Sequence, residues 1–363
     1  MGSWRRNRLM DLLGIDLPIV QAPMAGSDSP AMTIGVCQAG GLGSLACATL
    51  SPEGIVTAAA DIRAATGHAF NLNFFCHQAP LDDPAREATW RRALLPYFVE
   101  LGLDPDAQTP FVNRAPFDDG LCQVVEAVRP AVVSFHFGLP LPDLLLRVKA
   151  AGATVLSSAT TVAEAVWLEH KGCDAIIAQG IEAGGHRGMF LGDAIATQTG
   201  TLALVPQIVD AVTVPVIAAG GIGDGRGIAA ALMLGAAGVQ LGTAYLFCPE
   251  ARISAVYRRA LAEARDRTAL TNLFTGRPAR GIVNRLMHDM GPMAHATPDF
   301  PLAARTLAAL RTHDARVGRY DFTNLWAGQA AAMGRALPAC DLTRQLADEA
   351  LARVRSTQND LAF

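Results

Sequence analysis

The sequence has no C-x-x-C pair, no long basic run and no apolar stretch long and charge-free enough to read as a membrane span. Each absence removes a class of protein. Cys37, Cys47, Cys76, Cys122, Cys173, Cys248 and Cys340 are an odd set without ligand spacing. That argues against a disulfide framework or a zinc site and points to a reducing compartment, the cytoplasm. His68, His170, His288, His295 and His313 show no ligand-like spacing either, and no metal is expected. A formal net charge of −3 with scattered Lys and Arg gives no electrostatic case for nucleic acid or an anionic membrane. The basic start, Met1 to Arg8, lacks a following apolar core, so no signal peptide is expected, and no membrane span is legible. G-x-S-x-G, the P-loop and an early G-x-G-x-x-G are missing, so serine hydrolase, nucleotide triphosphatase and Rossmann readings have no support. Neither a short-period repeat nor a low-complexity tract is evident.

What is present is a βα rhythm. The 363 residues are 51% hydrophobic, enough for one large domain and an appended one. Short β-prone runs fall at Ile19–Gln21, Leu42–Leu45, Phe70–Phe74, Ala131–Phe135, Thr154–Ser157, Ala175–Ala178, Pro215–Ala218 and Gly238–Gly242. Between them lie the helical runs Pro30–Ala39, Pro52–Ala65, Leu141–Ala151, Thr161–Lys171, Thr201–Val212 and Arg226–Leu234. The strand count is that of an α/β fold of the TIM (β/α)8 type. Two stretches are too long for βα connections. They divide the chain into a barrel (1–76, 121–247 and 323–363) and a smaller α-rich inserted lobe over one barrel face (77–120 and 248–322). A helical run Asn324–Met333 would return the chain to the barrel, and Asp341–Arg355 would close it.

The candidate site residues cluster at strand ends, where barrel enzymes carry their chemistry. After Asp174–Ile177 the chain enters a glycine-rich loop, Gln179 to Gly188, carrying Gly184 and His186. An imidazole can exchange a proton near neutrality, and glycine neighbours offer it little packing, so His186 is the catalytic candidate. Gln179 is a cofactor-contacting amide candidate, and Glu182 either orients the loop or pairs with Arg187. Loops after the last two strands, with Gly221 in one and Gln240, Leu241, Gly242 and Thr243 in the other, have the form of a phosphate site. Met24, in a Pro-Met-Ala-Gly turn, either presses on a flat ring or simply ends a strand. Asn71 and Asn73 share one strand face, where an amide suits a flavin edge or a structural bond equally. His136, flanked by aromatics, either packs or reaches the site.

With these residues together the chain resembles the nitronate monooxygenases, once called 2-nitropropane dioxygenases, and is most similar to their bacterial class I. The resemblance rests on Gln21–Met24, Asn71–Phe75, Val133–Gly138, Gln179–His186 and Ala218–Gly221 and runs over most of the chain. It implies FMN in a TIM barrel, contacted by Met24, Asn73, Gln179, Gly184, Gly221 and Gln240 to Thr243. It implies oxidation of alkyl nitronates, or of nitroalkanes when these are offered, by O2 to a carbonyl compound and nitrite, in a detoxifying role. His186 would be the catalytic histidine, holding the nitro group or taking the α-proton. His136, Tyr257 and Phe300 would face the substrate.

One departure stands out. The class I pattern Tyr-x-x-x-Tyr-x-x-x-Lys after a Pro-Asp pair is replaced, after Pro298–Asp299, by Phe300, Ala304 and Ala308. Two hydroxyls and a cation are absent there, which predicts a larger or more apolar substrate than propionate 3-nitronate, unless Arg285 or Arg305 supplies the charge. Two alternatives stay open from sequence: an NAD(P)H-dependent FMN reductase of quinones or enoyl-acyl-carrier-protein on the same barrel, and a flavin-binding protein without turnover. Chain length of the substrate, physiological role and oligomeric state are not legible.

Overall fold

The structure, a computed structural model, describes residues 4–107 and 114–360. Eight parallel strands form the barrel: β1 (Ile19–Gln21), β2 (Gly43–Ala46), β3 (Phe70–Phe75), β4 (Val132–His136), β5 (Thr154–Ala159), β6 (Ala175–Gln179), β8 (Val216–Ala219) and β9 (Gly238–Leu241). β7 (Gly185–His186) stands outside it. The strands pair in the order β1-β9-β8-β6-β5-β4-β3-β2. A parallel bridge between Val20 and Leu42 joins β1 to β2 and closes the ring. The expected strands and the (β/α)8 class are thus present, with ends displaced by a residue or two.

Strands buried on both faces read as continuous apolar runs, because helices cover the outside and neighbouring strands fill the inside. Ile19, Leu72, Phe74, Val133, Phe135 and Ile176 point outward to the helices. Val20, Leu42, Val132, Leu156, Ile177 and Ile217 point inward and meet Leu9, Met10 and Leu13. These last three come from a short N-terminal helix, Arg8–Leu13, that plugs the barrel at the amino end of the strands. Above that apolar floor lies a polar layer: Asn71 Nδ2 donates to Ser44 Oγ at 3.0 Å and to Ser134 Oγ at 2.8 Å. The cavity therefore opens at the carboxyl ends.

The connecting helices begin where side chains can cap them. Ser29 accepts from Met32 N with Pro30 next in line, and Asp224 accepts from the amides of Arg226 and Gly227. The segments outside the βα rhythm share a core of their own. Trp90, Leu94 and Phe98 of the helix Pro84–Leu101 pack with Phe274, Leu286, Leu307 and Phe322. A small antiparallel sheet, absent from the sequence reading, joins β10 (Thr268–Thr271), β11 (Ala279–Ile282) and β7. It brings His186 opposite Ala279.

Asn324–Met333 is not a helix. Trp326 bridges to Gly281, and only Ala331–Met333 forms a 3-10 turn. Its alanines favour helix, but tertiary hydrogen bonds win over propensity. Leu325 O accepts from Ile282 N at 2.8 Å, Gly328 N donates to Thr243 Oγ1 at 2.9 Å and Gln329 N to Glu182 O at 3.0 Å. The segment is a strap across the barrel mouth, and the helix Ala339–Asp360 follows it. Among the described residues no helix is long and apolar enough to cross a membrane.

Candidate active site

At the mouth lies a cavity, partly open to solvent. Met24, Asn73, Gln179, Gly184, Gly221, Gln240, Gly242, Thr243, His136, His186 and Tyr257 all line it. Sequence reading drew them from seven separate stretches, and the barrel gathers them because their strands end at one face. Two named residues do not line the wall. Leu241 belongs to the outer core, since strand alternation turns it away from the cavity. Phe300 stands behind His186, ring centroids 5.1 Å apart.

The turn after β1 is held by Asp28. Its Oδ2 accepts from Met24 N at 2.8 Å and from Ala46 N at 2.9 Å, stitching the β1 and β2 loops together. Burial pushes its carboxyl up to about 7, against the pull of those two amides and of Arg252. The amides of the site are already partly engaged. Asn73 Nδ2 donates to Ser134 O at 3.1 Å and to its Oγ at 2.9 Å. Gln179 donates to His186 O at 3.0 Å and accepts from Gly188 N at 2.8 Å. Gln240 differs: its Oε1 is buried in the wall and meets no donor among the described residues.

Two glycine loops face this amide. Gly221, after β8, has φ +68°, a conformation glycine adopts without strain. The N–H groups of Gly221 and Ile222 meet no acceptor among the described residues. A Cβ at Gly184 would lie 2.5 Å from Gly328 N, so the histidine loop and the strap touch backbone to backbone. Glu182 orients this loop: its carboxylate accepts from Thr201 N at 2.9 Å and Oγ1 at 2.8 Å. It does not bond Arg187, which donates instead to the carbonyls of Gln179 and Gly180 and to Gln198.

The expectation that His186 packs loosely is overturned. Its chain neighbours are small, but rings arrive from elsewhere: Phe300, Trp326 at 5.3 Å, Phe137 at 6.0 Å and Phe75 at 6.4 Å. Nε2 lies 2.9 Å from Thr275 Oγ1. Burial holds the imidazole well below its usual 6.5, and the charge of Arg114 adds to it. His136 is a support. Its Nε2 faces the His186 carbonyl at 3.2 Å, so that nitrogen donates, and Nδ1 accepts from Ser158 at 2.5 Å. With both nitrogens committed, and burial taking it down to about 3, it stays neutral. Tyr257 gives its hydroxyl to Trp326 O at 2.5 Å and so anchors the strap.

The sequence reading missed Arg114, Ser158 and Trp326 in the wall and Thr275 behind His186. It also expected no cation near the substrate beyond Arg285 or Arg305. Those two lie elsewhere, Arg285 2.6 Å from Glu100 and Arg305 3.8 Å from Glu87. Arg114 comes from the 77–120 segment, where no motif announces it.

The geometry meets its relatives at this point. The family model described as nitronate monooxygenase matches residues 6–349. A nitronate monooxygenase of Pseudomonas aeruginosa is 45% identical over 346 residues, covering 94% of this chain and 99% of that protein. One from Paraburkholderia phytofirmans is 44% identical over 95% of each. Among solved structures, a nitroalkane oxidase from Streptomyces ansochromogenes superposes with a TM-score of 0.86 at 38% identity, over 97% of this chain and 100% of that one. FabK from Thermotoga maritima gives 0.74 at 26% identity, over 99% of this chain and 100% of that one.

Proposed function

The chain belongs to the nitronate monooxygenase family and is an oxidoreductase of nitronates and nitroalkanes, and on that premise we propose that it holds one FMN and uses O2 to turn alkyl nitronates into a carbonyl compound and nitrite. The family is one of flavoenzymes, and two features of the cavity support the mononucleotide. The orphaned Oε1 of Gln240 suits a ring N–H, and the free amides of Gly221 and Ile222 suit one phosphate. Met24, Asn73 and Gln179 border the space left for the ring, and Gly184, Gly242 and Thr243 complete the cradle. When bound, FMN would supply the electron-accepting centre and the place where O2 is reduced.

The observation that carries this reading is a neutral, ring-enclosed imidazole in the same cavity as that cradle. His186 holds the nitro group, or takes the α-proton when a neutral nitroalkane is offered. Phe75, Phe137, Phe300 and Trp326 exclude water around it, which strengthens each polar contact it makes. His136 and Gln179 both donate to its carbonyl and fix the ring's origin. Segments 77–120 and 248–322 act as the lobe that covers this site, and 1–76, 121–247 and 323–363 as the barrel beneath it. All seven cysteines are free, which supports a cytoplasmic, reducing setting.

Acid release of the flavin followed by chromatography tests the cofactor; recovery of FAD, or of no flavin after reconstitution, defeats it. The reductase reading is not favoured, because FabK is the more distant of the two enzymes in both identity and superposition. Anaerobic mixing separates the two: a nitronate should bleach the flavin and NAD(P)H should leave it oxidised. Steady release of nitrite under air excludes a binding protein without turnover.

A further inference from the structure

One charge in the cavity is not used by the chemistry above. Arg187 is satisfied by two carbonyls and Gln198. Arg280 donates to Ile181 O, and Arg277 donates to Met189 O while stacking 4.1 Å from the Phe137 ring. Arg114 lines the cavity wall, yet no acceptor among the described residues takes a hydrogen bond from its guanidinium. The charge that acts on it is of its own sign, Arg311, itself largely buried. Burial and that neighbour bring Arg114 down to about 10, so it remains a cation at neutral pH.

Its position is built rather than incidental. Phe117, three residues on, donates its N–H to Phe75 O at 2.7 Å, and its ring packs on Phe74 at 5.0 Å and Phe135 at 5.2 Å. The backbone leading from Arg114 is thereby clamped to the end of β3, beside His186. A largely buried cation without a partner is costly unless an anion joins it. The planar, two-pronged guanidinium matches a carboxylate.

We infer that Arg114 is a specificity-determining residue, receiving a carboxylate that the substrate carries in addition to its nitro group. This rests on the nitronate reading above and reverses the apolar expectation drawn from Phe300, Ala304 and Ala308. The cation is supplied from the 77–120 segment instead of from the helix that follows Pro298–Asp299. Arg311 adds attraction for the same anion.

The test compares propionate 3-nitronate with propyl 1-nitronate on the flavin-loaded enzyme. Wild type should prefer the carboxylate-bearing substrate in kcat/KM by about ten- to a hundredfold, mainly through KM. Arg114→Met should erase most of that ratio, and Arg114→Lys should keep part of it. Equal use of the two nitronates by wild type, or an unchanged ratio in Arg114→Met, overturns the inference. Calorimetry with propionate alone reads the site without turnover. Binding by wild type that weakens at least about tenfold in Arg114→Met supports it, and equal binding overturns it. If no nitronate is turned over, the oxidase reading fails, and the propionate titration still decides for or against Arg114.

Discussion

His186 Nε2 stands 2.9 Å from Thr275 Oγ1, and the same hydroxyl faces Arg277 O at 3.5 Å. A hydroxyl has one proton. The contact with Nε2 is the shorter of the two, so the orientation of the Thr275 hydroxyl and the tautomer of the His186 ring are coupled. Thr275 thus bears on which nitrogen carries the proton, although nearly ninety positions separate the two residues in sequence.

His186→Asn should keep the flavin bound and cut turnover of neutral nitroalkane by about 10²-fold or more, the usual contribution of a positioned base. Turnover of the ionised nitronate should fall less, since its proton is already gone. Thr275→Val, which removes the hydrogen bond to Nε2, should follow the same pattern more weakly. Steady-state kinetics on both forms of one substrate decides, and equal small losses would remove His186 from the base role.

The acid limb of the pH profile should not sit at 6.5. The folded protein holds His186 well below that value, so the ring is deprotonated throughout the neutral range and gains a proton only in stronger acid. The unfolded chain takes up the proton first, near 6.5, so the stability linked to this group is lost as pH falls below 6.5 toward the folded value. His77, at about 4, and His136, at about 3, act in the same direction. A profile of kcat/KM for nitroalkane that halves near pH 6.5 would contradict the environment described for His186.

Asp28 works with the opposite sign. Its carboxyl is raised from 3.8 to about 7, so the folded state binds the proton more tightly than the unfolded chain. Stability from this group is present below about pH 4 and is lost as pH rises toward 7. Asp28→Asn can still accept from the Met24 and Ala46 amides but does not ionise. Its unfolding free energy relative to wild type should therefore improve between pH 4 and 7. Denaturant titrations of both proteins across that range measure the difference, and a constant gap would refute the assignment.

Gly184→Ala should strain the mouth. The new Cβ would fall 2.5 Å from Gly328 N, with backbone rather than a yielding side chain in its way. Overpacking of this kind costs about 1–3 kcal/mol. Because Gly328 also bonds Thr243, the displaced strap should loosen the flavin cradle. Flavin fluorescence titration should show weaker binding, alongside a lower midpoint in urea; unchanged affinity would uncouple the strap from the cradle.

The barrel was legible because its strands are short, largely apolar runs, with β6, β8 and β9 each closed by a glycine, a signal written within a few residues. The site loops were legible for the same reason: Gly184, Gly221 and Gly242 sit where strands end. What sequence could not show is what arrives from far away. The rings around His186 come from Phe75, Phe137, Phe300 and Trp326, and none of them lies in its own loop. The strap read as helix because local composition favours alanine-rich helix, whereas the hydrogen bonds of Gly328 N and Gln329 N and of Leu325 O go to distant backbone and side chains. Arg114 carries no pattern of its own; only the fold places it in the wall. Leu241 was misassigned with its neighbours because a site loop was read as a block, while the alternation of β9 turns it outward.

The strap ties three parts in one short span: Leu325 to β11, Trp326 to His186 and Tyr257, and Gly328 to Thr243. Anyone recombining this enzyme with a relative to alter selectivity meets a constraint that a division into barrel and lobe conceals. A chimera cut on either side of residue 323 separates the strap from one of its two clients. The unit to exchange is residues 77–120 and 248–322 together with residues 324–333 and their receptor at Thr243, and crossover libraries designed on that boundary should retain flavin where those cut within it do not.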